Sequence, residues 1–206
     1  MSFRISRKTT PRVRRGKVQR KNRWALTPSI FNTPQPMPVI HRERPGPGYR
    51  HLLLKRDIVR FLSILPEWEE LSRGLNVILL ARQSDRGGWQ GWHTRGLVAV
   101  CAWNRDLWQD LEEWFFEEHR LLIGRLGVPW EQTEAGTFVC KFTEDTARAF
   151  QLLHVLMHEL GHHHDRMTTR WQRDACRGES YAEQYAKQYE ERIFKDYVQA
   201  FGLEVP

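Results

Sequence analysis

The chain has 206 residues, 40 % of them hydrophobic with nine Trp and ten Phe, enough for one well-buried domain with extensions. No apolar stretch reaches the roughly 18 residues of a membrane span, and no charged start leads into an apolar run, so neither a membrane protein nor a signal peptide is expected. Three widely spaced cysteines, Cys101, Cys140 and Cys176, suit neither a disulfide framework nor a CxxC zinc knuckle, and this points to a reducing compartment.

The net charge of +7 is unevenly placed. Residues 1–23 hold ten Lys and Arg and no acid; without them 22 basic residues face 25 acidic ones, a balance of about −3. Such a block cannot pack and is expected to be disordered when free. Arg12, Arg14, Arg15, Lys17, Arg20 and Lys21 are candidate phosphate contacts of a nucleic-acid arm. A solubilising tail with no partner is the alternative. Residues 24–48 follow as a Pro-rich linker or strap, with Trp24, Ile30 and Phe31 as possible anchors.

The globular part, residues 49–206, is expected to begin near Tyr49. His51 to Leu65 carries Leu52, Leu53, Ile58, Val59, Leu62 and Leu65, a helix ended by Pro66, which opens a second short turn. Leu75 to Ala81 is a continuous apolar run, a buried strand. Residues 82–96 are rich in Gly, Trp and charge and are expected as a loop; its Trp89 and Trp92 either line a groove or cap a sheet, the second being favoured. Leu97 to Trp103 is another strand. Asn104 is placed as an N-cap of a helix carrying Leu107, Leu111, Trp114, Phe115, Leu121 and Leu122 and stopping at Gly124–Gly127. Thr137 to Phe142 is a short strand, and Thr143 caps the helix after it.

That helix holds the densest chemistry in the chain, His154-Val-Leu-Met-His158-Glu159-Leu160-Gly161-His162-His163-His164-Asp165. Within it lies the pattern H-E-x-x-H. A helix turns about 100° per residue, so positions i and i+4 share a face and His158 and His162 can offer two imidazoles to one metal. Glu159 is rotated away, poorly placed as a ligand but able to take a proton from an attacking water. This is the division of labour of a zinc hydrolase, with Zn²⁺ the cation best suited to two His and a carboxylate. His154, one turn earlier, reads as a satisfied helix histidine, and Asp165 either as a carboxylate that could orient a ligand imidazole or as a helix-end charge.

A third ligand is still needed. Glu179, Ala182, Glu183 and Ala186 share one face of a helix expected to start after Gly178, and the two alanines allow close approach to the histidine helix. At these residues the chain resembles the gluzincin metallopeptidases, in which H-E-x-x-H is completed by a glutamate on a following helix. The stretch Glu179 to Ala186 is similar to the local form E-x-x-A-[D/N/E]-x-[F/Y]-A of small cytoplasmic ImmA/IrrE-type proteases. The resemblance covers about residues 150 to 190. It implies Glu179 as the third ligand and Glu183 as a carboxylate on a ligand histidine, with Glu183 the alternative ligand.

The element order implies an α+β, zincin-like domain with a small sheet. In zincins the strand before the histidine helix often forms the sheet edge that pairs with an extended peptide, which would be 137–142 here. The implied activity is that of a zinc endopeptidase with one Zn²⁺ per chain, Glu159 as general base and a protein or peptide as substrate. Tyr181, Tyr185, His163, His164 and His93 are candidate donors to the oxyanion. The alternative is a nucleic-acid-associated or protein-binding module on the same fold, with weak or no peptidase activity; an intact Glu159 argues against it.

Overall fold

The computed structural model describes residues 29–83, 90–170 and 175–206, together with a two-residue antiparallel ladder of Val13–Arg14 (β1) and Lys17–Val18 (β2). The rest of the basic tail and Trp24 lie outside the described residues. The two continuous apolar runs form the centre of a four-stranded sheet. Its strands are β3 (Val39–Arg42), β5 (Val77–Ala81), β7 (Leu97–Cys101) and β6 (Gly91–Thr94), in the order β3-β5-β7-β6. The first three run parallel and β6 is antiparallel to β7.

Both central strands are buried along their whole length because both faces of the sheet are covered. Ile78, Leu80, Val98 and Val100 face the main core. Val77, Leu79, Ala81, Leu97, Ala99 and Cys101 face the other way, under Ile30 and Trp92. Trp92 thus caps the sheet; Trp89 lies outside the described residues. The Pro-rich strap contributes more than cover: its Val39–Arg42 pairs with β5, so the sheet's first strand precedes the expected start at Tyr49. The prolines that hide this strand fall just before it, where an edge tolerates them.

Helix α1 (Lys55–Ile64) buries Ile58, Phe61 and Leu62, and Asp57 accepts from the Leu54 amide at 2.8 Å at its start. A short α2 (Trp68–Leu71) follows. Tyr49–Arg50 (β4) pairs with Trp103–Asn104 (β8). Asn104 therefore opens no helix. Leu107 sits at φ +67°, Trp108–Leu111 is a strand (β9), and α3 spans Glu113–Arg125. The spacing from Leu107 to Leu111 satisfies a strand period as well as a helical one, so the two readings are degenerate there. Strand β9 joins Trp130–Gln132 (β10) and Phe138–Lys141 (β11) in a separate antiparallel sheet of order β10-β11-β9.

Thr143 caps the next helix, its hydroxyl accepting from the Thr146 amide at 3.1 Å while the Thr146 hydroxyl accepts from the Thr143 amide at 2.8 Å. Helix α4 (Glu144–Phe150) runs through a π-helical turn (Gln151–Leu156) into α5 (Met157–Thr168), the H-E-x-x-H helix. Such turns are frequent beside functional sites. Gln151 anchors the turn by donating to the Cys101 carbonyl at 2.8 Å. The last helix, α6 (Gly178–Phe201), buries Ala182, Tyr185, Ala186, Tyr189, Ile193, Phe194 and Tyr197 along one stripe. The result is an α+β domain with a small mixed sheet, the H-E-x-x-H helix and a glutamate-bearing helix packed on it.

Candidate metal centre

Helices α5 and α6 meet closely because of two small residues. A methyl group on Gly161 would lie 2.9 Å from Ala182 Cα and 3.1 Å from its carbonyl oxygen, so no larger residue fits between the helices as they stand. This contact sets Glu179, one turn before Ala182, against the histidines. His158 Nε2 and Glu179 Oε2 are 3.1 Å apart, His162 Nε2 and Glu179 Oε2 3.3 Å, and the two Nε2 atoms 3.2 Å. Zinc bonds of about 2.0–2.1 Å in a tetrahedron require ligand atoms about 3.3–3.4 Å apart. Two imidazoles and one carboxylate therefore already form one face of such a tetrahedron. The Glu179 side chain is 83 % exposed, so this face borders solvent.

Glu183, one turn further along α6, lies behind His158. Its Oε2 is 3.2 Å from His158 Nδ1, an arrangement that takes the Nδ1 proton and leaves Nε2 free toward Glu179. Its other oxygen lies 3.2 Å from Lys187 Nζ and 3.6 Å from His119 Nε2. His119 and His154 join their Nε2 atoms at 2.8 Å, and His119 Nδ1 donates to the Phe115 carbonyl at 2.6 Å. His119, on α3, carried no spacing signal in the sequence.

Charge follows geometry here. Burial opposes ionisation of Glu183, but the His158 hydrogen bond, His154, His119 and Lys187 outweigh it and hold its pKa at about 2. Burial would lower His158; its hydrogen bond to Glu183 and the charges of Glu159, Glu183 and Glu179 reverse that and raise it. Burial, then His93 and His158, lower His162. His154 falls well below the usual imidazole value, chiefly by burial.

Glu159 is buried and points to the sheet rather than to Glu179. The edge strand beside it is β6, not the 137–142 strand, which lies in the middle of the other sheet as β11. A methyl group on Gly91 would stand 2.7 Å from Glu159 Oε1 and 2.9 Å from the Ala99 carbonyl, so glycine is needed for this approach. His93, two residues on and on the same face, stacks on His162 with ring centroids 4.3 Å apart and sets its Nδ1 3.6 Å from Glu159 Oε2. The sequence offered 82–96 as a loop because this strand is half-exposed and carries no apolar run.

The other oxyanion candidates are engaged elsewhere. His163 Nε2 donates to the Arg73 carbonyl at 3.0 Å, and Arg166 donates to its Nδ1 at 2.8 Å. His164 Nδ1 is 2.7 Å from the Tyr181 hydroxyl, and Tyr185 stacks between His164 and Tyr189. Asp165, expected on a ligand imidazole, faces away. It is fully buried and accepts from the Arg177 amide at 2.7 Å, Arg177 Nε at 2.8 Å and the Gly178 amide at 3.3 Å. It ties the end of α5 to the start of α6. His162 Nδ1 has no hydrogen-bond partner among the described residues.

Two further groups of donors come close together: His93 with Glu159 and His162, and His119 with His154 and Glu183. The second is closed by a hydrogen bond between its imidazoles and supports His158 from behind. No protein-family model, curated protein or solved structure matches the chain. What relates it to the gluzincins is the H-E-x-x-H motif and a triad of His158, His162 and Glu179 consistent with an active site of that type.

Proposed function

We propose that the protein is a zinc-dependent endopeptidase of the gluzincin kind, similar to the small ImmA/IrrE-like proteases. The observation that carries this is the near-equilateral triangle of His158 Nε2, His162 Nε2 and Glu179 Oε2, with edges of 3.1–3.3 Å, beside a buried glutamate that is not part of it. His158, His162 and Glu179 hold the ion, and Glu183 orients His158. Zinc in that position supplies Lewis-acid activation of a water and of the scissile carbonyl. Glu159 accepts the proton of the attacking water and returns it to the leaving amine. His93 is the oxyanion donor best supported among the five candidates, since it alone lies against both Glu159 and His162. Strand β6 replaces 137–142 as the edge to which an extended peptide adds. Three free cysteines suit a reducing, cytoplasmic setting, and no helix among the described residues is long and apolar enough to cross a membrane.

Metal content by mass spectrometry, together with cleavage of an unfolded protein substrate, tests this reading. One zinc per chain is expected in the wild type and in Glu159→Gln, with cleavage only in the former. His162→Ala and Glu179→Gln should lose the metal. Absence of stoichiometric metal after reconstitution overturns the proposal. A second reading, nucleic-acid binding, is favoured by the ten basic residues of 1–23. Deleting them should abolish salt-sensitive nucleic-acid affinity and leave the zinc in place; affinity that survives the deletion removes this reading.

A further inference from the structure

Strand β6 and helix α5 lie side by side, and their periods bring matched residues together. Gly91 faces Glu159, and His93 stacks on His162. Arg95 lies in the turn just past β6, two residues beyond His93; one helical turn beyond His162 stands Arg166. Both arginines line a cleft of ≈ 360 Å³ with His93, Thr94, His162 and Glu179.

Two like charges share the cleft, and the carboxylate that lines it with them, Glu179, forms an ion pair with neither among the described residues. Arg166 is 2 % exposed, yet neither it nor Arg95 has a carboxylate within ion-pair distance among the described residues. The one side-chain hydrogen bond that Arg166 makes among them goes to neutral His163 Nδ1 and takes one of the five N–H groups of the guanidinium. Burial and the neighbouring charge of Arg95 both lower its pKa. A buried guanidinium with no carboxylate partner among the described residues is costly to keep. The planar fork matches a carboxylate held by two hydrogen bonds, and exposed Arg95 can close over the same anion from the solvent side.

We infer that this cleft is a specificity pocket in which Arg95 and Arg166 grip a carboxylate of the peptide substrate. The inference rests on the peptidase reading for the identity of the substrate. Arg166 stands one helical turn, about 6 Å, beyond His162, and an extended peptide advances about 3.3 Å per residue, so the anion belongs to a residue within about two of the scissile bond. The carboxylate comes from an acidic side chain or from the chain terminus.

The test is fluorescence anisotropy of labelled peptides on the full-length, zinc-loaded Glu159→Gln protein, which binds without turnover. A single Glu is moved through an otherwise neutral peptide of about ten residues, in C-terminal acid and amide forms, with Gln as the control. The expected result is binding roughly tenfold tighter or more for one Glu position, or for the free terminus alone, the charge-assisted pair setting the scale. Arg95→Gln and Arg166→Gln should each remove that preference, and Arg166→Lys should weaken it, because a point charge replaces the fork. Arg95 is exposed, so its variant tests the pocket even if Arg166→Gln does not fold. If the amide retains the preference, the source is a side chain; if amidation abolishes it, the source is the terminus. Equal binding of Glu and Gln peptides, absence of binding by both, or a preference that survives Arg95→Gln overturns the inference. If the wild type cleaves none of these peptides while the Arg-dependent preference persists, the peptidase reading falls and the anion pocket stands.

Discussion

At the scale of single residues, two features shape the proposed site: a carboxylate behind His158 and a glycine under Glu159. Glu183 touches His158 Nδ1 at 3.2 Å and Glu179 touches the Nε2 side, so substitutions at the two should differ in kind. Glu179→Gln is expected to abolish stoichiometric zinc. Glu183→Gln should retain the site with affinity reduced roughly 10–100-fold, the usual effect of losing the group that orients a ligand. Competition with a chromophoric chelator measures both. Equal loss would show that the two carboxylates do not have distinct roles. Gly91→Ala probes the base. Its methyl group would meet Glu159 Oε1 at 2.7 Å and the Ala99 carbonyl at 2.9 Å, so Glu159 is displaced while none of His158, His162 and Glu179 is among its nearest contacts. Cleavage should fall by an order of magnitude or more with zinc content unchanged, since a misplacement of about 1 Å is enough.

At the scale of elements, the site exists because α5 and α6 are held at one distance and one register. Gly161 sets the distance. Gly161→Val should cost about 1–3 kcal/mol by overpacking against Ala182 and Tyr185, and should lower zinc affinity as well, because Glu179, the proposed third ligand, is carried away with α6. Urea unfolding with and without zinc separates the two effects. Asp165 sets the register. It caps the turn into α6 by taking two backbone amides and the Arg177 side chain. Asp165→Asn should cost roughly 2–3 kcal/mol, toward the low end for a broken buried pair because Arg177 is 40 % exposed. A loss below 0.5 kcal/mol in the same measurement would mean that the loop before α6 is held by other contacts.

At the scale of the whole molecule, buried neutral histidines make the fold sensitive to acid. Burial and Arg166, against the Arg73 carbonyl contact, hold His163 at about 4 instead of 6.5. His119 and His154 are lowered too, chiefly by burial. The native state binds fewer protons than the unfolded chain in that window, so stability is full above pH 6.5, falls as pH drops, and levels off near 4 for His163. The slope approaches about 1.4 kcal/mol per pH unit for each such group, and His163 alone accounts for up to ~3 kcal/mol. His158, raised by its carboxylates, works in the opposite direction, losing its contribution as pH rises through its native value. Unfolding free energies between pH 5 and 7 should therefore decline on acidification in the zinc-free protein. His163→Gln should flatten that decline even if it lowers stability throughout; an unchanged slope would rule out His163 as the group responsible.

Much of this was legible in the residues alone, where the information is local. H-E-x-x-H is a statement about one helix, and the 100° advance per residue is enough to place His158 and His162 on one face. The apolar runs Leu75 to Ala81 and Leu97 to Trp103, the Thr143 cap and the Gly178 start of α6 are equally local; the runs form strands at Val77–Ala81 and Leu97–Cys101, with Trp103 passing into β8, and the cap and helix start appear as expected. What tertiary packing alone decided concerns pairs distant in sequence. Gly161 against Ala182 determines that Glu179 meets both Nε2 atoms while Glu183 meets Nδ1. Pairing to β7 turns a Gly- and Trp-rich segment into the strand beside Glu159, and that same pairing sets Arg95 beside Arg166. Asp165 has a plausible helical offset from His162, but the chain returning at Arg177 claims it first. Helical spacing limits which side chains can share a face; only the neighbour that packs against that face determines which of them meet.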